Sequence, residues 1–410
     1  MTAPKSHQIV IIGGGTAGTT VAASLLRKRP QLDVAVIEPS EVHYYQPAFT
    51  LVGGGTYSLS NTVKPQQATL PKQVTWIRQS ATQIDPEQKQ VHLLNDEIIS
   101  YQYLVVATGI QLDWNKIDGL LETLGENGVC SNYSPQSVEY TWQCIDKFSG
   151  GKALFTQPPV PFKCAGAPQK IAYLAADQFH KRGLSKRTEI NFYNAGGALF
   201  SVPDFIPYLE QTAARHDVNL NFNHNLIAVD GPNKKARFAV TDADGNSSEI
   251  EQDFDMLHVT PPQSAPEFIK QSRLVNEAGW VTVDQFTLQH TQFDDIFSLG
   301  DVSSLPTSKT AAAIRKQAPV LVQNLLSRLD GKPLDARYDG YTSCPVVTGY
   351  GKVMLAEFAY DAVVTPTLPL NPFKESRFYW FVKKYFLPPM YWHFMLKGFE
   401  ADITHKPLKK

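Results

Sequence analysis

Charge is scarce in this chain. Asp, Glu, Lys and Arg supply 19% of its 410 residues and the formal net charge is -1, where ordinary globular chains carry about a quarter charged residues. No run of five or more like charges occurs, so the basic surface that would hold a nucleic acid by its phosphates is missing. Cysteine is scarcer still. Four in the whole chain exclude a secreted disulfide framework, and with no C-x2-C pair and no histidines beside them they exclude a zinc site, so no metal is expected. Long apolar runs are also lacking. The longest approach is Tyr385–Leu396, twelve uncharged residues broken by Pro388 and Pro389, too short for a spanning helix. The few residues from Met1 to His7 leave no room for a signal or transit segment, which sets the expectation of a cytoplasmic location. Hydrophobic residues at 43% supply ample core for two or three domains.

What is present begins at once. His7–Gly18 is a β-branched run breaking into glycines, Thr19–Lys28 has helical composition, and Asp33–Ile37 reads as a second strand ending at Glu38. Gly13, Gly15 and Gly18 satisfy G-x-G-x-x-G: the first for a tight turn, the second for backbone approach to a pyrophosphate, the third for helix–strand packing. The helix start offers free N–H groups and a positive dipole end to phosphates. Glu38 stands where a carboxylate accepts from ribose hydroxyls.

Two later strands end in Ala-Thr-Gly (Ala107, Thr108, Gly109) and Gly-Asp (Gly300, Asp301). Together with the glycines they resemble the paired signatures of flavoproteins with two dinucleotide-binding folds, which implies FAD at the first site and Asp301 as one of its contacts. Ser308 or Thr310 is expected to cap a helix through Ala311–Ala313, with Lys309 at its start. In such flavoproteins a helix start faces the flavin, where a dipole and an ammonium stabilise negative charge; the alternative is a solvated surface lysine.

Flavoproteins fed by NAD(P)H normally carry a second glycine motif. The matching place is read as Glu189–Phe200, where no G-x-G-x-x-G fits, and the next strand-like run, Val218–Phe222, ends in Asn223, His224 and Asn225 with no acid for a ribose. The electron donor is therefore not expected to be a nicotinamide. Cys130 and Cys144 read as small buried hydrophobes. Cys164 lies in a proline-rich segment opening into a helix, with Lys163 beside it, a setting that favours thiolate. Cys344 lies in Tyr341–Tyr350 beside Pro345, and both are expected on turns.

The segments Lys163–Lys170 (KCAGAPQK), Gly340–Tyr350 (GYTSCPVVTGY), Leu305–Ala313 (LPTSKTAAA) and His43–Gly55 (HYYQPAFTLVGGG) are similar to those of sulfide:quinone oxidoreductases, in particular the subgroup with the mitochondrial enzyme. The similarity runs from the first strand to near the C-terminus. It implies an α/β fold of two Rossmann-like dinucleotide-binding domains and a redox-active pair made of Cys164 and Cys344 beside FAD. It further implies cofactor contacts at Gly13, Gly15, Gly18, Glu38, Gln46, Thr108, Gly109, Gly300, Asp301 and Lys309. Hydrogen sulfide would leave a persulfide on one cysteine, two electrons would pass to a membrane quinone, and a small thiol or other nucleophile would remove the sulfur. Cys164 is implied to meet the flavin and Cys344 to carry the persulfide, an order that the residues alone leave open. The rival readings are a type II NADH:quinone dehydrogenase and a non-catalytic flavin-binding redox sensor.

Phe373–Phe399 differs in composition: eleven of its 27 residues are aromatic and five are Lys or Arg. Two short helical stretches hinged at Pro388 and Pro389, each with an aromatic face edged by cations, would form an amphipathic membrane-docking region; packing on the protein's own core is the alternative. Pro47, Lys309 and Phe381 are the quinone candidates. The expected organisation is 1–115 and 276–350 for the FAD domain, 116–275 for a second Rossmann-like domain without a working NAD motif, and 351–410 for the docking region. The expected location is peripheral, on the cytoplasmic side of a bacterial membrane, and a homo-oligomer is left open.

Overall fold

A computed structural model describes residues 5–400 and 405–408; the reading of Met1–Pro4 lies outside them. The chain enters β1 (Lys5–Ile12), whose last four residues are fully inside, and turns through the glycines into α1 (Thr16–Lys28). It returns as β2 (Val34–Ile37), buried along its whole length. With β3 (Thr75–Ile77), the antiparallel pair β4 (Ala81–Asp85) and β5 (Gln90–Leu93), and β6 (Ile98–Val106), these form one sheet in the order β3-β2-β1-β6-β5-β4. Near-continuous Val/Ile runs buried on both faces are what the central strands of a parallel sheet require.

A second sheet follows, parallel throughout. It is built from β7 (Val129–Cys130), β8 (Gly151–Gln157), β9 (Thr188–Asn194), β10 (Val218–Phe222) and β11 (Met256–His258), in the order β7-β11-β8-β9-β10. Helices α2 (Val138–Lys147), α3 (Ala167–Lys181) and α4 (Ile206–Arg215) connect its strands. The chain then returns to the first sheet as β12 (Ile296–Ser298), parallel to the end of β6, and continues into α5 (Ala311–Leu329). This is the α/β architecture of two Rossmann-like units expected from the sequence.

The strand order corrects one expectation. From β8 the second sheet runs outward through α3 to β9 and through α4 to β10, so β8, and not β9, is the first strand of that βαβαβ run, with the short β7 at the opposite edge. The turn that would carry a dinucleotide glycine motif is therefore β8-to-α3, residues 158–166, and not the loop after β9 at Glu189–Phe200. That first turn reads Pro-Pro-Val-Pro-Phe-Lys-Cys-Ala-Gly. It contains Cys164 and, again, no G-x-G-x-x-G.

A hairpin, β13 (Thr342–Gly349) with β14 (Lys352–Phe358), pairs Cys344 opposite Ala356 and packs on α3 in the core of the second unit. Cys344 is thus a mid-strand residue and not on a turn. The C-terminal segment is α6 (Arg377–Phe381), a π-helical turn Val382–Phe386, and α7 (Leu387–His393). The segment does not hinge at its prolines. Pro388 and Pro389 fall in the first turn of α7, directly after the π-helical turn, and the backbone stays helical through both.

Candidate active site

The first glycine loop tests the expected cofactor. Gly13 has φ +103°, and a Cβ there would lie 2.4 Å from the Ala107 carbonyl oxygen. A Cβ on Gly18 would lie 1.8 Å from the Gly13 oxygen, so both glycines are demanded by the chain's own packing. Gly15 is different. Its Cβ would meet nothing within 4 Å, so the chain does not need glycine there; what the glycine keeps open is space at the start of α1. Gly109 likewise faces open space, at φ +72°. Thr108 Oγ1 is buried without a hydrogen-bond partner among the described residues. Gly300 N donates to Gln317 Oε1 at 2.9 Å, holding the loop before Asp301. Glu38 follows β2 and accepts from the Gly14 and Ser40 amides, both at 2.8 Å. Open space at a helix start, flanked by an orphaned hydroxyl and a carboxylate, fits a dinucleotide.

The fold brings the two cysteines together. Cys164 Sγ lies 3.1 Å from Cys344 Sγ across 180 residues of sequence, as two free thiols in contact. Cys164 has φ +91°, a backbone conformation that side-chain-bearing residues rarely adopt. Gly166 lets the strand approach: a Cβ there would lie 3.0 Å from Cys344 Sγ and from Val346 Cγ2. Lys170, one turn into α3 and buried, donates to Cys164 Sγ at 3.2 Å.

Charge is shared unequally between the sulfurs. The hydrogen bond from the Cys344 thiol holds Cys164 well below the ordinary thiol range against the cost of burial, helped by the Lys170 and Lys383 ammonium groups. The same hydrogen bond and burial push Cys344 up. Of the two sulfurs, Cys164, the one that Lys170 contacts, is favoured as the thiolate. Burial lowers Lys170, but the two sulfurs outweigh it and the ammonium is held charged.

Three further lysines belong to the site, and one of them, Lys383, acts on the sulfurs. Lys383, buried on the π-helical turn, donates to the Pro47 carbonyl at 3.3 Å; burial and the nearby Lys170 bring its pKa down to about 7. Lys163 donates to Gln46 Oε1 at 2.6 Å, and burial of its ammonium brings it to about 8 although part of the side chain stays open. Lys309, brought to about 8 by burial, donates to the Asp301 carbonyl at 2.5 Å and to the Ser303 carbonyl at 3.2 Å, and lies 3.9 Å from the Trp280 ring centroid. It is not solvated. Thr310, rather than Ser308, caps α5 by accepting from Ala313 N at 3.0 Å. Asp301 is raised by burial, with Lys309 and Lys163 opposing.

Sequence reasoning missed Lys170 and Lys383. Lys170 stood inside the KCAGAPQK segment, six residues from Cys164 and so on the helix that segment opens. Lys383 was counted among the cations edging an aromatic face. At helical spacing it falls opposite Phe381 and on the same side as Tyr379, which is also buried. The quinone candidates scatter: Pro47 meets the C-terminal segment through Lys383, Phe381 is 57% exposed, and the Lys309 ammonium is committed to Asp301 and Ser303. Cys130 is buried as expected. Cys144 instead lines an open cleft with Tyr140 and Lys147, and its hydrogen bond with Cys130 lowers its pKa.

The C-terminal segment is two-faced. Tyr379, Tyr391 and Trp392 are buried, while Phe378, Phe381, Tyr385, Phe386, Phe394 and Phe399 are exposed by 48–58%. No described helix is long and apolar enough to cross a membrane.

Residues 7–136 match the family model for pyridine nucleotide-disulphide oxidoreductases. A protein of Dictyostelium discoideum named mitochondrial sulfide:quinone oxidoreductase is 45% identical over 98% of this chain and 89% of its own length. One of the same name from Mus musculus is 41% identical over 97% of this chain and 88% of its own. The crystal structure of the sulfide:quinone oxidoreductase of Aquifex aeolicus superposes with a TM-score of 0.80 at 21% identity, covering 97% of this chain and 92% of that one. The two relatives named here are mitochondrial proteins, and they give no support to the expected cytoplasmic face of a bacterial membrane. At 45% and 41% identity across nearly its whole length, the chain belongs to the sulfide:quinone oxidoreductase family.

Proposed function

We propose that this protein oxidises hydrogen sulfide by two electrons at Cys164 and Cys344 and passes the electrons to a quinone. The carrying observation is the contact of these two sulfurs at 3.1 Å with the Lys170 ammonium 3.2 Å from one of them. In the oxidised form the sulfurs are joined. Hydrosulfide attacks the Cys344 sulfur, the S–S bond breaks, Cys344 keeps the incoming sulfur as a persulfide, and Cys164 leaves as thiolate. The contact with Lys170 supports this order, since the thiol with the lower pKa leaves faster and the ammonium stabilises it. A small thiol or other nucleophile then takes the outer sulfur and leaves a Cys344 thiolate. Loss of two electrons from the two thiolates rejoins the sulfurs. FAD, when bound in the Gly13–Gly18 loop and near Asp301, supplies the two-electron acceptor that a quinone reoxidises. Lys383, uncharged in part near neutral pH, is suited to hold or release a proton beside the sulfurs.

The exposed aromatic face of the C-terminal segment, with the Lys384 ammonium 5.3 Å from the Tyr385 ring centroid, docks the protein on a membrane surface where quinones reside. The rival nicotinamide reading is disfavoured by the β8-to-α3 turn, which offers prolines and a cysteine where a pyrophosphate needs glycines.

The test is anaerobic mixing of the purified protein with sulfide, then with a soluble quinone, while the flavin spectrum is followed. Sulfide is expected to bleach the flavin and quinone to restore it. Cys164→Ser and Cys344→Ser are each expected to abolish bleaching and leave FAD content nearly unchanged. Bleaching at the wild-type rate in either variant would sink the thiol route, and bleaching by NADH but not sulfide would sink the activity itself.

A further inference from the structure

The buried half of the aromatic run reaches a place that neither the thiol chemistry nor membrane docking requires. The Tyr391 hydroxyl, carried by α7, lies 2.8 Å from Thr16 Oγ1 and 2.5 Å from His43 Nε2. The other ring nitrogen, His43 Nδ1, lies 3.2 Å from the Gly14 carbonyl oxygen. A carbonyl only accepts, so Nδ1 carries the hydrogen. Burial holds the imidazole neutral, with its pKa lowered to about 4, so Nε2 is an acceptor. Tyr391 therefore donates to His43, and its oxygen is left to accept from Thr16. The bonds form a directed relay, Thr16 to Tyr391 to His43 to Gly14, that starts and ends in the dinucleotide loop.

The Gly14 carbonyl is held from two more sides, by Thr19 Oγ1 at 2.7 Å and Gln66 Nε2 at 2.8 Å. The same C-terminal stretch grips its surroundings elsewhere. Lys397 Nζ donates to the Ala68 and Thr69 carbonyls at 2.9 and 3.2 Å. Gly398, at φ +70°, runs so close to α1 that a Cβ would lie 2.5 Å from backbone atoms of Ala23 and Ser24.

We infer that Tyr391 and His43 are positioning residues for FAD: the C-terminal segment latches the Gly14–Thr16 backbone in the conformation that receives the pyrophosphate, so retention of the cofactor at the N-terminal loop depends on the far end of the chain. The inference rests on FAD binding at this loop and is independent of the thiol route and of membrane docking.

FAD release from the purified holoprotein, read as the rise of free-flavin fluorescence after dilution with far-UV circular dichroism recorded alongside, tests the latch. Tyr391→Phe keeps its ring against Tyr45, whose centroid is 4.6 Å away, and loses only the hydroxyl. It is expected to speed release roughly five- to thirty-fold while the circular dichroism holds. Thr16→Val is expected to do the same. Thr16→Ser, which puts a hydroxyl back, is expected to return release to within about twofold of wild type, a rescue that a merely structural role would not give. The double variant Thr16→Val/Tyr391→Phe is expected to be no faster than the faster single one, because both break one relay. Wild-type release in both Tyr391→Phe and Thr16→Val overturns the latch, as do effects that simply multiply in the double variant. Should Tyr391→Phe fail to fold, the Thr16→Val and Thr16→Ser pair decides alone. A wild-type protein without flavin absorbance overturns the latch together with the cofactor assignment, and sulfide bleaching has no bearing on either result.

Discussion

Lys170 Nζ stands 3.2 Å from the Cys164 sulfur, on the first turns of the helix that the cysteine's own loop introduces. Because loop and helix are consecutive, the charge that stabilises the thiolate is delivered by the same local fold that presents the sulfur.

Removing that charge while keeping bulk is the direct check. Lys170→Met is expected to raise the Cys164 pKa, since the ammonium is one of the groups holding it down. Alkylation of the Cys164 peptide by iodoacetamide at pH 7, quantified by mass spectrometry, is expected to slow by roughly fivefold or more, and to recover at higher pH. An unchanged pH profile would show that Lys170 is not needed and that the Cys344 hydrogen bond, with Lys383, sets the thiolate.

Lys383 makes stability depend on pH in a defined direction. Its pKa falls from 10.5 unfolded to about 7 folded, so between those values the unfolded chain binds more protons and stability rises with pH. The penalty is complete below pH 7 and gone above 10.5. Lys383→Met should therefore be more stable than wild type at pH 6, by on the order of 3 kcal/mol in urea titrations, with the gap closing toward pH 10. A gap of the same size at every pH would mean that packing, not charge, is responsible.

The first and second sheets were not equally legible. β1, α1 and β2 follow one another in sequence and each carries its own signal: a β-branched run, glycines, helical composition. The second sheet hid its first strand. Gly151–Gln157 is followed by prolines rather than glycines, whereas Ile190–Tyr193 is followed by Gly196 and Gly197, and only the strand order shows which turn opens the run. The proximity of Cys164 and Cys344 was available through family resemblance alone, because a contact across 180 residues leaves no local trace. The same holds for His43 and Tyr391, 348 residues apart. Lys383 was within reach of periodicity on the alternative that packs this segment against the protein's own core.

Gly15 and Gly18 should respond oppositely to the same substitution. Gly15→Ala places a methyl in open space, so the fold is expected to persist with a reduced FAD-to-protein absorbance ratio. Gly18→Ala drives a methyl to 1.8 Å from the Gly13 oxygen and is expected to cost several kcal/mol of stability, read as a lower thermal midpoint or loss of soluble protein. Equal FAD content in Gly15→Ala and wild type would argue against a pyrophosphate at that point.

The exposed rings give a membrane assay. Phe378, Phe386 and Phe394 are 53%, 58% and 56% exposed. Replacing all three by Ser removes roughly 1.5–3 kcal/mol of transferable apolar surface per ring, so partitioning onto phosphatidylcholine vesicles containing cardiolipin is expected to fall more than about tenfold, while the flavin spectrum stays the same. Undiminished vesicle flotation would assign these rings to another partner.

The turn from β8 to α3 has a consequence for anyone redesigning this scaffold. A stretch of backbone stiffened by prolines to thrust a nucleophilic sulfur forward has given up the suppleness needed to cup a pair of phosphates. Glycines at 161 and 163, completing a G-x-G-x-x-G with Gly166, would keep Cys164 but remove Pro161 and Lys163, the stiffening residue and the cation beside it, so fuel by reduced nicotinamide and fuel by sulfide make opposing demands at one address, and no single variant of that loop is expected to run well on both.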